Sequence, residues 1–292
     1  MNFGYRHFEV MPIAGSGGAE IRGLDLSQPL PVEVYDELQS ALARFLLLCF
    51  RDQDLTDDQF EAWASGLGKL QPHVLVKPIP GHPHMLAIER RADEQPDAKV
   101  VGEDWHSDAP WLDRPVAGSI LYNLEAPPWG GDTQFCNLYL AYDSLSDGLK
   151  EAIDPLMLRS AAAAGASYLT NVKDAVGGAY DMTELKEVGA HPLVRIHPAT
   201  GRKCLAVTGP YGYCIEGWTP EESKPLIDFL IRQATRAEHV FRIRWARGTL
   251  AVWDNRCLLH QAIKDYQGFG RRMRRLQFAG ERPFGPPRPA ET

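Results

Sequence analysis

His106 and Asp108 lie two positions apart in the chain and are the first candidates for a reactive site. On an extended backbone, residues i and i+2 point to the same side, so the imidazole and the carboxylate can converge on one point. They form two corners of the two-histidine, one-carboxylate set that holds non-haem Fe(II) and leaves coordination positions open. The pair predicts a metal centre that a second, distant histidine must complete.

The pair alone is weak evidence, because about one such His-x-acid triplet is expected by chance in this composition. Residues 7–9 are a decoy of this kind. What distinguishes His106 is His260, which follows an apolar strand and is followed in turn by Arg271 and Arg275. Arginine presents a rigid fork suited to carboxylates, so this arrangement predicts an anionic cosubstrate beside the metal.

Composition narrows the class of protein. With 292 residues, 44% of them hydrophobic, the chain can bury a sizeable core, and we expect one domain over residues 1–292. A net charge of −7 argues against nucleic-acid or anionic-membrane binding, because phosphate surfaces select basic proteins. Small molecules are the expected partners.

The cysteines and the apolar runs predict a cytoplasmic protein. Five scattered cysteines without a Cys-x-x-Cys spacing indicate reduced core thiols rather than disulfides or structural zinc. The N-terminus lacks an apolar signal core. The longest strongly apolar run, residues 45–50, is far shorter than the roughly 20 residues of a membrane span.

Short predicted strands with a few flanking helices favour an α+β fold with a sheet-sandwich or jelly-roll core. Two capping boxes, Thr56 with Gln59 and Thr219 with Glu222, mark helix starts. The predicted helices are residues 31–44, one from Thr56, 138–153 and 220–237. The predicted strands fall within residues 8–30 and at 46–50, 85–88, 119–124, 133–135, 193–197, 203–207, 240–245, 249–253 and 274–278.

Residues 161–189 are rich in alanine and glycine and lack strong periodicity. Long irregular segments inside a domain are usually functional or disordered. We expect a mobile insertion, either a lid over the site or poorly ordered surface.

Four motifs in this order resemble the taurine dioxygenase and 2,4-dichlorophenoxyacetate dioxygenase family of Fe(II)- and 2-oxoglutarate-dependent oxygenases. The similarity extends over residues 8–284. The matching segments are Trp105-His106-Ser107-Asp108, Gly130-Gly131-Asp132-Thr133, Trp253-Asp254-Asn255-Arg256 leading to His260, and the pair Arg271 and Arg275. The resemblance implies a double-stranded β-helix (jelly-roll) core with flanking helices.

The resemblance also implies roles for individual residues. Thr133 and Arg271 match the positions that hold the distal carboxylate of 2-oxoglutarate. Arg275 matches an arginine that reaches either the 1-carboxylate of the cosubstrate or an anionic group of the substrate. The residues matching the catalytic iron ligands are His106, Asp108 and His260.

The implied activity is hydroxylation of a small substrate by O2, with succinate and CO2 as coproducts and with C–O or C–S cleavage where the product collapses. His73, Ala109, Tyr211 and Arg275 are the expected substrate-binding residues. Taurine itself fits poorly, because Val76 and Gly102 stand where taurine dioxygenase has a tyrosine and an asparagine, and Tyr211 replaces a phenylalanine. An organic acid, sulfonate, sulfate ester or aryloxyalkanoate is the expected substrate.

Two other classes compete with this oxidoreductase interpretation. A zinc hydrolase could use the same three ligands with one open position, but His-Glu-x-x-His is absent and the arginine pair would have no role. A non-catalytic jelly-roll binding protein would be expected to lose a ligand or the cosubstrate arginine, and none is missing. We further expect a homo-oligomer that binds neither nucleic acid nor membrane.

Overall fold

Strands outnumber helices in the computed structural model, which describes residues 3–94, 102–162 and 188–287. The α-helices in these ranges are α1 (Val32–Phe45), α2 (Asp57–Leu67), α3 (Leu138–Asp143), α4 (Asp147–Ile153) and α5 (Pro220–Ala234). A 3-10 turn covers Ala237–His239. The strands are β1 (Glu9–Ala14), β2 (Gly17–Arg22), β3 (Leu47–Phe50), β4 (Leu86–Arg90), β5 (Gly118–Glu125), β6 (Thr133–Asn137), β7 (Met157–Ala161), β8 (Val188–Pro192), β9 (Val194–Ile196), β10 (Lys203–Leu205), β11 (Gly212–Ile215), β12 (Val240–Ile243), β13 (Leu250–Asp254), β14 (Leu258–Ala262) and β15 (Arg271–Phe278).

A seven-stranded sheet in the order β1-β2-β3-β13-β5-β15-β4 forms the framework. All its neighbouring pairs are antiparallel except β2 with β3. Every residue of β13 is buried, as expected for a central strand covered on both faces.

Helices α1 and α2 cover one face of this sheet. Helix α1 places Val34, Leu38 and Ala41 on one stripe, the three-to-four-residue spacing of an amphipathic helix. These side chains join one apolar core with Leu48 and Val252 of the sheet. The helices therefore fix the large sheet from the outside.

A three-stranded sheet, β12-β6-β14, covers the opposite face. Phe135 of β6 packs edge-on against Trp253 of β13, with ring centroids 5.5 Å apart. Both belong to the largest apolar core, together with Leu259 of β14. This sheet-on-sheet layer is where the residues of the predicted site are brought together.

The structure confirms the predicted helix starts. Thr56 accepts a hydrogen bond from the backbone of Gln59 and the Gln59 side chain accepts one from Thr56, so both halves of the capping box form. The box of Thr219 and Glu222 forms in the same way. These signals are local, so sequence suffices to find them.

Several predicted boundaries are wrong; the helix expected over residues 220–237, for example, ends at Ala234. The helix expected over residues 138–153 is two helices, because Asn137 caps α3 and Ser146 begins α4 with a new cap. Strand β15 begins at Arg271 instead of residue 274. Of the expected insertion, Ala161 ends β7, and β8 begins at Val188 and pairs with β7. The proposed lid, residues 163–187, lies outside the described residues.

All five cysteines are buried and free, as predicted for core thiols. Within the described ranges, none of the helices has both the length and the apolar character to cross a membrane.

Candidate active site

Backbone pairing brings the two distant histidines together. His106 and His260 exchange two backbone hydrogen bonds, of 3.1 and 2.8 Å, as an isolated antiparallel bridge outside the regular sheets. Their rings lie 4.2 Å apart, centroid to centroid. His260 follows β13, as the sequence suggests, and lies within the next strand, β14. Its pairing with a segment so distant in the chain leaves no local signal.

Asp108 completes a compact donor set. Its Oδ1 lies 3.9 Å from Nε2 of His106 and 3.8 Å from Nε2 of His260, and one ligand atom from each residue lies within 4.8 Å of the others. Nδ1 of His106 is 2.6 Å from the carbonyl of Asp104. A carbonyl only accepts, so Nδ1 carries the proton and Nε2 keeps its lone pair for a metal.

The protonation states suit metal binding. Burial alone would raise the pKa of Asp108, but the Arg275 guanidinium and the two histidines hold this pKa well below its usual range. Burial lowers the pKa of both His106 and His260. At neutral pH the set is therefore one carboxylate and two neutral imidazoles, the form that coordinates metals. This donor set fits non-haem iron.

The Oδ2 atom of Asp108 is held by two residues to which the sequence assigned no role. Oδ2 accepts hydrogen bonds from Oγ of Ser119 at 2.6 Å and from Nδ2 of Asn255 at 3.1 Å. Ser119 lies in a largely apolar strand, and its polar side chain was the only sequence feature that could have indicated its role. Asn255 stood inside a matched motif without an assigned role.

The two predicted cosubstrate arginines share one face of β15. Arg271, Met273 and Arg275 are buried, whereas Arg272 is exposed and Arg274 points outward with it. Residues i and i+4 of a strand face the same side. Arg271 and Arg275 therefore point into the protein, whereas Arg272 and Arg274 point toward its surface.

Thr133 and Arg271 are brought to the same place by Trp245. The guanidinium of Arg271 lies 6.0 Å from the Trp245 ring centroid and 5.9 Å from that of Tyr266. Trp245 donates a hydrogen bond of 2.9 Å from Nε1 to Oγ1 of Thr133. Nε of Arg271 is buried and has no hydrogen-bond partner among the described residues. This buried donor is suited to an anion.

Arg275 lies directly beside the metal-ligand set. Its Nη2 is 2.7 Å from Oδ1 of Asp108, and its Nε is another buried donor without a partner in the described part of the chain. A buried guanidinium with an unused donor can bind an anionic group next to the metal.

Two predicted pocket residues, His73 and Tyr211, lie near the donor set. Nδ1 of His73 accepts the backbone N–H groups of Leu75 and Val76, each at 3.1 Å, so Nε2 carries the ring proton. Tyr211 is buried and packs edge-on against Trp111 at 4.8 Å. Its ring centroid is 6.3 Å from that of His106.

Two further pocket positions are shaped by the backbone. Gly102 has a φ of +83°, and a Cβ there would approach Cε1 of His106 to 3.2 Å, so this glycine lets the chain pass close to the ligand ring. Ala109, directly after Asp108, has a φ of 46°. Left-handed backbone is costly for a residue with a side chain, and alanine is the smallest of these.

A second buried cluster, His197 with Asp254 and Cys257, serves a structural purpose. Asp254 accepts a hydrogen bond from Nε2 of His197 at 2.9 Å and two more from the Arg256 side chain. Nδ1 of His197 accepts from the backbone of Ala199. The cluster fixes the turn that carries Asn255 and leads into β14.

Comparison with known proteins agrees with this geometry. The chain is 34% identical over 281 residues to an alpha-ketoglutarate-dependent sulfate ester dioxygenase of Pseudomonas putida, covering 95% of this chain and 91% of the relative. It is 32% identical over 257 residues to an (S)-phenoxypropionate/alpha-ketoglutarate-dioxygenase of Sphingobium herbicidovorans, covering 87% and 89%.

Solved structures agree as well. A taurine dioxygenase from Burkholderia xenovorans superposes with a TM-score of 0.79 at 32% identity, covering 96% of this chain and 94% of the other. AAD-2 in complex with Mn(II) and N-oxalylglycine superposes with a TM-score of 0.74 at 26% identity, covering 94% and 98%. Residues 9–277 match the family model described as taurine catabolism dioxygenase TauD, TfdA family. The chain therefore belongs to the TauD/TfdA family and is a dioxygenase that depends on Fe(II) and 2-oxoglutarate.

Proposed function

We propose that this dioxygenase hydroxylates a small organic anion carrying an apolar or aromatic group, with iron held by His106, Asp108 and His260. The observation that carries the proposal is the convergence of these ligands in one buried place beside Arg275. We assign the distal carboxylate of 2-oxoglutarate to Arg271 and Thr133. The buried, unused Nε donor of Arg271 supports this assignment.

The side chains around Arg275 favour an anion with an apolar portion. A buried apolar cluster contains Val76, Ala109, Trp111 and Tyr211, and His73 adds a fixed N–H donor. Apolar walls with a few placed polar groups are typical of small-molecule sites. Relatives named for sulfate esters and phenoxypropionate support this class, and taurine, which has no large apolar group, suits these walls less well.

Each residue then has a definable task. Bound iron supplies the activation of O2 that no side chain can provide. His106, Asp108 and His260 would hold the metal, while Arg271 and Thr133 orient the cosubstrate. Arg275 and His73 orient the anionic group of the substrate, and the apolar cluster keeps water away. Where the hydroxylated carbon bears an ether, sulfate or sulfonate group, the product breaks its C–O or C–S bond.

We further propose that the two facing sheets form a double-stranded β-helix (jelly-roll) and that residues 1–292 are one domain. The recruitment of β1 and β15, from opposite ends of the chain, into one sheet supports a single domain. A cytoplasmic location is supported by the buried free thiols. A homo-oligomeric state and the absence of nucleic-acid or membrane binding remain predictions from the sequence.

Succinate formation tests the substrate class. Purified protein with Fe(II), ascorbate and 2-oxoglutarate would be offered aryloxyalkanoates, alkyl sulfate esters, alkyl sulfonates and taurine. We expect substrate-dependent succinate release to be faster with the anions that carry apolar groups than with taurine. Taurine as the best substrate would contradict the assignment of the apolar cluster to the substrate.

Arg275→Ala tests which anion this arginine binds. Loss of a charge-assisted hydrogen bond costs about 1.5–3 kcal/mol, or roughly 10- to 150-fold in affinity. We expect the Michaelis constant for the best substrate to rise within that range while the Michaelis constant for the cosubstrate changes little. Arg274→Ala is the matched control, because Arg274 lies on the opposite face of β15 and pairs with Asp57. An equal rise in the Michaelis constant for the cosubstrate would reassign Arg275 to 2-oxoglutarate.

A further inference from the structure

Ser119 of β5 is a polar residue in a fully buried position. Its Oγ lies 2.6 Å from Oδ2 of Asp108, 2.9 Å from Nδ2 of Asn255 and 3.4 Å from Nη2 of Arg275. An ionised carboxylate only accepts hydrogen bonds, so Ser119 donates its single proton to Asp108. Its lone pairs accept from the amide of Asn255 and, at the longer distance, from Arg275.

The orientation of the Asn255 amide is fixed by Trp253. The indole Nε1 of Trp253 is 3.0 Å from Oδ1 of Asn255. An indole nitrogen can only donate, so the amide oxygen must face Trp253. The NH2 group therefore faces Asp108 and Ser119 as a donor. Sheet pairing sets Trp253 directly opposite Ser119, which anchors this network in the framework.

The two oxygens of Asp108 thus have different surroundings. Oδ2 accepts hydrogen bonds from Ser119 and Asn255. Oδ1 lies 2.7 Å from Nη2 of Arg275 and faces the Nε2 atoms of His106 and His260 at 3.9 and 3.8 Å. Two donors on Oδ2 lock the rotation of the carboxylate and turn Oδ1 toward the two imidazoles and Arg275.

We propose that Ser119 is a positioning residue that presents Oδ1 of Asp108 as a single metal-binding oxygen and steadies Arg275 beside it. The inference rests on the proposed metal ligands. A buried hydroxyl is costly unless its hydrogen bonds are made. The hydroxyl of Ser119 bonds to the carboxylate of Asp108, to the amide of Asn255, which donates to the same carboxylate, and to Arg275. With Oδ2 held in this way, Asp108 would offer a metal one oxygen rather than two.

Binding of Mn(II) alone tests this role, because the free-ion EPR signal reports the bound fraction without turnover. Residues that orient metal ligands typically contribute about 10- to 100-fold to metal affinity. We expect Ser119→Ala to raise the Kd of Mn(II) by about this factor. Ser223→Ala is the control, because Ser223 of α5 is an equally buried serine whose hydroxyl makes three hydrogen bonds away from the site.

The control also separates positioning from folding. The melting temperature of the metal-free protein should fall by a similar amount in both variants, while only Ser119→Ala loses metal affinity. If Ser119→Ala fails to fold, Asn255→Ala removes the second donor to Oδ2 and should weaken Mn(II) in the same way. An unchanged Kd of Mn(II) in the folded variant overturns the role of Ser119 but leaves the proposed metal site standing. Failure of the wild-type protein to bind Mn(II) overturns the proposed metal site as well.

Discussion

At the scale of single residues, the proposed site depends on the carboxylate of Asp108, whose two oxygens have different partners. The side chain of Asp108 is surrounded by groups from three strands, β5, β14 and β15, and by the turn after β13. Its ionised state is secured by Arg275, although burial opposes it. The chemistry therefore requires the surrounding fold as much as it requires the residue.

Asp108→Ala is expected to abolish iron-dependent succinate formation, because two imidazoles alone do not supply the third ligand. The Fe(II) dependence of the rate is the measurement. Asp104→Ala serves as the control, since its side chain is exposed on the same loop and its contact with His106 is made by the backbone carbonyl. An undiminished rate in Asp108→Ala would rule out the triad.

His73 should make the metal-free protein sensitive to acid. Burial, with a smaller effect of Arg275, lowers the pKa of His73 to about 3 from 6.5. Between these two pH values the unfolded chain binds more protons at His73 than the folded chain does. The contribution of His73 to the free energy of unfolding is therefore complete above pH 6.5 and is lost progressively as the pH falls below it. His73→Asn should reduce the slope of unfolding free energy against pH, measured in urea, by up to about 1.4 kcal/mol per pH unit. An identical slope would show that His73 is already protonated in the fold.

At the scale of elements, the turn before β6 places Thr133. Gly130 and Gly131 have φ values of +71° and +66°, and the backbone N–H of Gly131 donates to Asp265 at 2.7 Å. A Cβ at Gly130 would lie 2.5 Å from the carbonyl oxygen of Asp265. Glycine is required here by both conformation and space.

Gly130→Ala should lower the free energy of unfolding by at least about 1–2 kcal/mol, the cost of left-handed backbone for alanine, and weaken cosubstrate binding through Thr133. Urea unfolding and a titration with 2-oxoglutarate measure the two effects. Gly148→Ala is a control of opposite sign. Gly148 lies in α4, and a Cβ added there would meet no atom within 4 Å. Alanine at this position should therefore raise the free energy of unfolding by up to about 1 kcal/mol. Equal stabilities of the two variants would contradict the steric role of Gly130.

The elements also show what the sequence could predict. The capping boxes of Thr56 and Thr219 were readable because each signal lies within four residues. The convergence of the three proposed metal ligands could be predicted because their types and motif context are distinctive. Ser119 and β14 were not, because their roles arise from pairing between strands far apart in the chain, which leaves no local pattern.

At the scale of the whole molecule, the layers hold the site between two sheets. The large sheet supplies Ser119, Arg271 and Arg275, and the small sheet supplies Thr133 and His260. Packing of Phe135 against Trp253 joins the sheets immediately beside His260. Separation of the layers would therefore separate His260 and Thr133 from Arg271 and Arg275.

An anaerobic titration of the metal-free protein, first with Fe(II) and then with 2-oxoglutarate, tests most directly whether this site binds both, with visible absorption as the measurement. We expect the weak metal-to-ligand charge-transfer band of the chelate in the wild-type protein. We also expect loss of that band in Arg271→Ala at the same cosubstrate concentration. A wild-type protein that binds Fe(II) but never develops the band would contradict the assignment of this site to 2-oxoglutarate.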